Sequence, residues 1–284
     1  MDPKFHPAVA AITSGNVDRL RSLLKDDPTL ATAVSSCSHP TLLQCLVLDA
    51  ADLPNKIEMG QVLIDAGAEI NGPLVAAACI DNVESAAALL DAGAQLNGVD
   101  GWSPLEEALY WSNHRVIDLL IERGASLHNL RIAAGLGRVD LIKGFFNPDG
   151  SLNPEAGKVD WPFREPCKIL KQPTAAEAAH RQNIINNAFV YACAHGRIDA
   201  AKLLLEKGAE INAIPPGFDY AGTGLHYAAC QGQRAMVDFL LDHGADPDVK
   251  DQKVNATPAS WAEHFGHVEL SEYLTKRSSS SAAN

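Results

Sequence analysis

The side chains best equipped for chemistry in this chain are His195, Asp219 and Tyr220. An imidazole beside a carboxylate or a phenol acts as a general base when the fold brings them within hydrogen-bond reach. Other polar pairs point less strongly to catalysis. Glu106 and Glu107 are neighbours in sequence, and neighbours on a helix face different ways. At the head of a helix their carboxylates favour the positive end of the macrodipole instead. His264 and His267 are separated by Gly266 and lack an accompanying acid or thiol, so no metal site is expected. Gly135-Leu136-Gly137 lacks the third glycine of a dinucleotide loop, and neither a G-x-x-x-x-G-K-[ST] loop nor a G-x-S-x-G elbow occurs. No cofactor is expected, and the chain reads as a binder rather than an enzyme. Its aromatic residues support that reading: Trp102, Tyr110, Trp111, Phe218 and Tyr220, and a separate group of Trp161 and Phe163 with Arg164. Aromatic side chains are over-represented among interface hot spots.

Bulk properties narrow the partner. The 284 residues carry 23 Lys and Arg against 35 Asp and Glu, a formal charge of -12. That balance opposes the phosphate backbone of nucleic acids, which needs clustered cations. No stretch approaches eighteen consecutive apolar residues, so neither a membrane span nor a membrane partner is expected. The start, Met1 to Pro7, has no signal-peptide core. The six Cys form no C-x-x-C pair and several sit in Ala-rich phrases, which fits a reduced, cytoplasmic setting.

The elements that must position these residues announce themselves by repetition. Val62-Leu63-Ile64-Asp65-Ala66-Gly67-Ala68 returns as Leu89-Leu90-Asp91-Ala92-Gly93-Ala94, Leu119-Leu120-Ile121-Glu122-Arg123-Gly124-Ala125, Leu203-Leu204-Leu205-Glu206-Lys207-Gly208-Ala209 and Phe239-Leu240-Leu241-Asp242-His243-Gly244-Ala245. Asn71, Asn97 and Asn212 follow three of these copies at a fixed offset. Before the last copy stands Thr223-Gly224-Leu225-His226-Tyr227-Ala228-Ala229-Cys230-Gln231-Gly232. A phrase recurring every thirty-odd residues marks a stacked repeat. Gly232 and Gly244 end the two helices of this copy, because the left-handed conformation is cheap only for glycine.

The phrase resembles the ankyrin repeat. The resemblance implies an all-α solenoid of about eight helix-turn-helix units with hairpin loops, a single domain over residues 1–277. Asp81 and Ser112 replace the helix-ending glycine in two units. His226 and His267 fall at family positions whose rings hydrogen-bond backbone between repeats. The resemblance also implies a concave binding face built from hairpin tips and inner-helix ends. It places Tyr110, Trp111, Leu136 and His195 there, with Trp102 in a neighbouring hairpin. The long finger 213–222, stiffened by Pro215-Pro216, would carry Phe218, Asp219 and Tyr220 near its tip.

Two segments depart from the rhythm. Residues 147–183 form a Pro-rich insertion, either a passive loop or a flap offering Trp161, Phe163 and Arg164. Within it Thr174 and Glu177 have capping-box spacing ahead of an Ala-rich stretch. Residues 278–284 read as a disordered tail. The expected function is capture of a protein or peptide in the concave groove. The alternative is a small-molecule binder or enzyme, with a pocket between that face, the finger and the insertion.

Overall fold

The computed structural model describes residues 2–35, 40–50, 52–99, 101, 103–159 and 173–281. Among them the architecture is all-helical, with one isolated antiparallel bridge from Phe146 to Leu152. The helices divide between two compact units, Met1–Ser126 and Leu127–Asn284, where the repeat pattern alone reads as a single body.

In Met1–Ser126, four inner helices alternate with four outer ones. The inner set is α1 (His6–Thr13), α4 (Leu42–Asp49), α6 (Asn71–Cys79) and α8 (Pro104–Trp111). The outer set is α2 (Val17–Asp26), α5 (Lys56–Asp65), α7 (Val83–Asp91) and α9 (His114–Glu122), with a short α3 (Thr29–Thr32) between units. The recurring Leu and Ala side chains fill the space between helices: Leu20, Leu63, Leu74, Ala77, Ala108 and Leu120 are fully buried. Polar staples then fix the register. Asn55 Nδ2 donates to Gly15 O (2.6 Å) and Asn113 Nδ2 donates to Ala78 O (2.7 Å), each reaching back one repeat. At the opposite end Asn71 and Asn97 accept from the backbone N–H of Gln95 (2.8 Å) and Ser126 (2.7 Å). The periodic Asn is therefore a bracket between successive hairpins.

In Leu127–Asn284 the pairs are α10 (Leu130–Gly135) with α11 (Val139–Gly144), α13 (Arg181–Ala194) with α14 (Ile198–Glu206), α15 (Gly224–Cys230) with α16 (Arg234–Asp242), and α17 (Pro258–His264) with α18 (Val268–Ser281). The same brackets recur: Asn212 accepts from Asp246 N (2.9 Å), and Asn186 from Glu210 N (2.9 Å). The turn staple is made by Arg197 to Gly135 O (3.2 Å) and by His267 Nε2 to Cys230 O (3.0 Å). His267 explains a glycine: Gly232 has φ +65°, and a Cβ there would lie 2.6 Å from the imidazole.

The insertion is tied into this unit at both ends. Ala156 and Val159 join the core, and Val159 N–H donates to Ala178 O (2.8 Å). Thr174 and Glu177 form the expected capping box at the head of α12 (Ala175–Ala179). The inner helix α13 starts at Arg181, so the extra segment stops short of residue 183. Arg181 itself bonds Gly150 O (2.9 Å) and Lys207 O (3.0 Å), clamping the segment to α14. Of the tail read as disordered in sequence, residues 278–281 belong to a helix and residues 282–284 lie outside the described residues. The helix α18 continues through Ser281, held by buried Leu270 and Leu274 and by Ser278 Oγ donating to Asp248 (2.6 Å).

Four described residues other than glycine take positive φ, Asp81, Ser112, Ala221 and Asn255, and the two that stand in place of a helix-ending glycine are compensated differently. Asp81 (φ 55°) accepts Val116 N–H on its carboxylate (2.9 Å). Ser112 (φ 59°, ψ 38°) gains nothing similar, and its hydroxyl is enclosed with no hydrogen-bond partner among the described residues. A left-handed non-glycine residue costs on the order of 1 kcal/mol, and an unsatisfied buried hydroxyl adds to that. Ser112→Gly is therefore expected to stabilise the chain by about 1 kcal/mol, read as a higher urea midpoint with unchanged slope.

Candidate functional site

Helix α8 builds a paired aromatic feature that reaches the surface. Ser103 caps it by accepting Glu106 N–H (3.4 Å), and Pro104 occupies its first turn, where a missing donor does no harm. Eight residues later the helix ends on Trp111, 39 % exposed, at the same relative place as Ile80 on the preceding repeat, 40 % exposed. Tyr110 is half-buried and meets Trp111 edge to face, with centroids 5.1 Å apart.

Trp111 is fixed from below. Its Nε1–H donates to Glu107 Oε1 at 2.9 Å, one turn earlier in the helix. Glu107 is only 3 % exposed. The Cys79 thiol at the end of α6 also bonds this carboxylate, and is pushed up to about 12 by burial first and then by the Glu107 charge. A thiol held that high is not a nucleophile near neutrality. Glu107 thus anchors Trp111 and Cys79, a role that its position at a helix head does not reveal. Such an indole loses little rotamer freedom on contact, which favours binding.

The second aromatic cluster belongs to Leu127–Asn284. Phe218 was expected near the finger's tip; it is instead 3 % exposed, between Tyr191 (5.2 Å) and Tyr227 (4.8 Å). The finger bends inward at Gly217 (φ 92°), where buried Asn187 donates to Pro216 O at 3.0 Å. Tyr220 stays at the surface, 40 % exposed, against Trp261. Lys253, from the next finger, lies 4.1 Å from the Tyr220 ring centre and 2.7 Å from Asp219 Oδ2. Asp219 and Tyr220 are thus brought together, around a lysine. His195, at the end of α13, is 5 % exposed, and Leu136, after α10, is half-buried. Trp102, Trp161, Phe163 and Arg164 lie outside the described residues.

Burial raises the thiols of Cys79, Cys193 and Cys230, the first and last to about 12. Among the described residues there is no cluster of three His, Cys, Asp or Glu able to hold a metal ion, and no helix long and apolar enough to cross a membrane.

The repeat geometry agrees with comparison to known proteins. A family model described as ankyrin repeats (3 copies) matches residues 30–131 and 166–251, more than half of the chain. The chain belongs to the ankyrin-repeat family. Ankyrin repeats are protein–protein interaction modules. Relatives share the repeats in varied settings. A segment of 73 residues is 40 % identical to a probable E3 ubiquitin-protein ligase of Oryza sativa subsp. japonica, covering 26 % of this chain and 14 % of that protein. One of 119 residues is 30 % identical to the palmitoyltransferase Hip14 of Drosophila melanogaster, covering 42 % and 18 %. One of 81 residues is 35 % identical to the human ARF GTPase-activating protein GIT2, covering 28 % and 10 %. The chain spans less than a fifth of the length of each. What it shares with them is the ankyrin scaffold, and fold alone does not carry their activities across.

Proposed function

We propose that this ankyrin-repeat chain captures a protein or peptide segment on its inner-helix ends, with Tyr110 and Trp111 as the principal anchors. The observation that supports this most is the exposed Ile80 and Trp111 pair on successive repeats, with the indole held rigid by a buried carboxylate. Large apolar side chains rimmed by polar ones are typical of interaction surfaces. The strained Ser112 directly after Trp111 is in keeping with a site shaped for contact rather than for stability. In the other unit, Tyr220 and Leu136 offer contact area, and Phe218 and His195 support them from the interior. The unbridged thiols of Cys79, Cys193 and Cys230 suit a reducing compartment such as the cytoplasm.

The test is pull-down from a native lysate with the full chain, compared with the double variant Tyr110→Ala, Trp111→Ala. Its fold is expected to be unchanged by circular dichroism, because Trp111 is partly exposed. Partner recovery is expected to fall roughly tenfold, in line with the loss of a moderate hot spot. Equal recovery by the variant would remove these two residues from the binding surface.

A further inference from the structure

The acidity of the chain is not spread evenly. Met1–Ser126 carries seven Lys and Arg against seventeen Asp and Glu, a net of -10, whereas Leu127–Asn284 carries sixteen against eighteen. Within Met1–Ser126 the cations are also segregated. Arg19, Arg21, Lys25, Lys56, Arg115 and Arg123 lie on the outer helices or at their ends, and Lys4 precedes α1. Three of them bridge successive outer helices: Arg21 to Glu58 (3.1 Å), Lys56 to Glu84 (2.8 Å) and Arg123 to Asp91 (2.7 Å). The inner helices α1, α4, α6 and α8 contain no Lys or Arg at all. Asp49 ends α4 and Asp81 directly follows Ile80 after α6, while the buried Glu107 carboxylate lies one turn before Trp111 in α8.

We infer that the inner-helix ends of Met1–Ser126 bind a basic peptide segment, with an Arg or Lys beside an apolar anchor residue. This rests on the peptide-capture reading and specifies its partner. Asp81 is fixed by accepting Val116 N–H (2.9 Å), so it meets a cation without reorganising. The Trp111 ring is a platform for a guanidinium or ammonium group. Its N–H is already given to Glu107, and hydrogen bonding to a carboxylate enriches the indole in electron density. The apolar anchor of the peptide covers Ile80, which is 40 % exposed. An acidic segment meets a surface of its own sign and is repelled.

The experiment is selection from a phage-displayed random dodecapeptide library on the full chain, followed by titration of recovered peptides by fluorescence anisotropy. Recovered peptides are expected to be enriched in Arg or Lys next to Leu, Phe or Trp. Their affinity is expected to fall about tenfold in Trp111→Ala and several-fold in Asp81→Asn, and to weaken with added salt. Asp81→Asn keeps an oxygen for Val116 and suits the left-handed backbone, so it preserves the fold. Trp111→Ala leaves net charge unchanged and so separates the site from unspecific attraction. Acidic or neutral peptides that still depend on Trp111 would overturn the basic partner and leave the capture surface standing. Basic peptides indifferent to both variants would also overturn it. Failure to select any peptide would sink the capture reading as well.

Discussion

Replacing Asp251 by Asn is expected to destabilise Leu127–Asn284 by about 3 kcal/mol. The carboxylate is 3 % exposed and accepts four hydrogen bonds. Oδ1 takes the backbone N–H of Lys253 (2.8 Å) and Val254 (2.7 Å). Oδ2 takes Ala256 N–H (3.0 Å) and the Trp261 indole N–H (2.9 Å). All four are donors, so whichever way an Asn amide is turned, its own NH2 faces two of them. Asp251 therefore organises the finger 250–257 and orients Trp261, against which Tyr220, His226 and Tyr227 all pack edge to face. Burial alone raises its carboxyl, but the hydrogen bonds from Val254, Trp261, Lys253 and Ala256 outweigh burial and hold it below the usual value of 3.8. A depressed acid stabilises the fold above the unfolded value and loses that contribution as pH falls through the folded one. The stability gap between wild type and Asp251→Asn should thus be constant near neutrality and narrow below about pH 3.8. Urea titrations at several pH values measure it. A gap under about 1 kcal/mol at neutral pH would show that the four bonds are not a unit.

The residues that bond across repeats were legible because they recur. The Gly-Ala phrase predicts the helix ends, and Asn71, Asn97 and Asn212 keep a fixed offset because each must reach the next hairpin. His267 and the Thr174 capping box were readable for the same reason: position in a motif implies a backbone partner. What happens once in the chain was not. The inward turn of Phe218 depends on Asn187 and on two tyrosines from different helices, and no period encodes that meeting. Glu107 looked like a dipole-satisfying helix head, because its real partners, Cys79 and Trp111, come from another repeat and from the far end of its own helix. Asn186-Asn187 in an otherwise apolar stretch of α13 was the available signal for a polar clamp there. That α18 runs past Arg277 is supported by Ser278 reaching Asp248, a contact that the serine-rich composition conceals. The division at Ser126 leaves no mark on the repeat phrase, although net charge changes sharply across it.

His226→Leu is the second substitution expected to cost about 3 kcal/mol, and its cost should depend on pH in the range where histidine titrates. The ring is fully buried. Thr223 N–H can only donate, so Nδ1, 3.1 Å away, carries the lone pair. The proton is therefore on Nε2, which donates to Ala256 O at 3.1 Å in the next repeat. One neutral imidazole closes the head of α15 and ties it to the following finger. Leucine fills much of the volume but strands both Thr223 N–H and Ala256 O. Burial lowers the His226 pKa below 6.5, against the raising effects of the Ala256 carbonyl and the Asp251 charge. The folded state thus holds this ring neutral while the unfolded chain takes up a proton below pH 6.5. The stabilisation is complete above that value and declines as pH falls through it. The difference between wild type and His226→Leu should accordingly be flat above pH 6.5 and shrink in mild acid, well before the Asp251 window opens near 3.8. Paired urea curves from pH 8 down to pH 4.5 would resolve the two, and a difference that grew on acidification would mean that the ring is held as its cation instead.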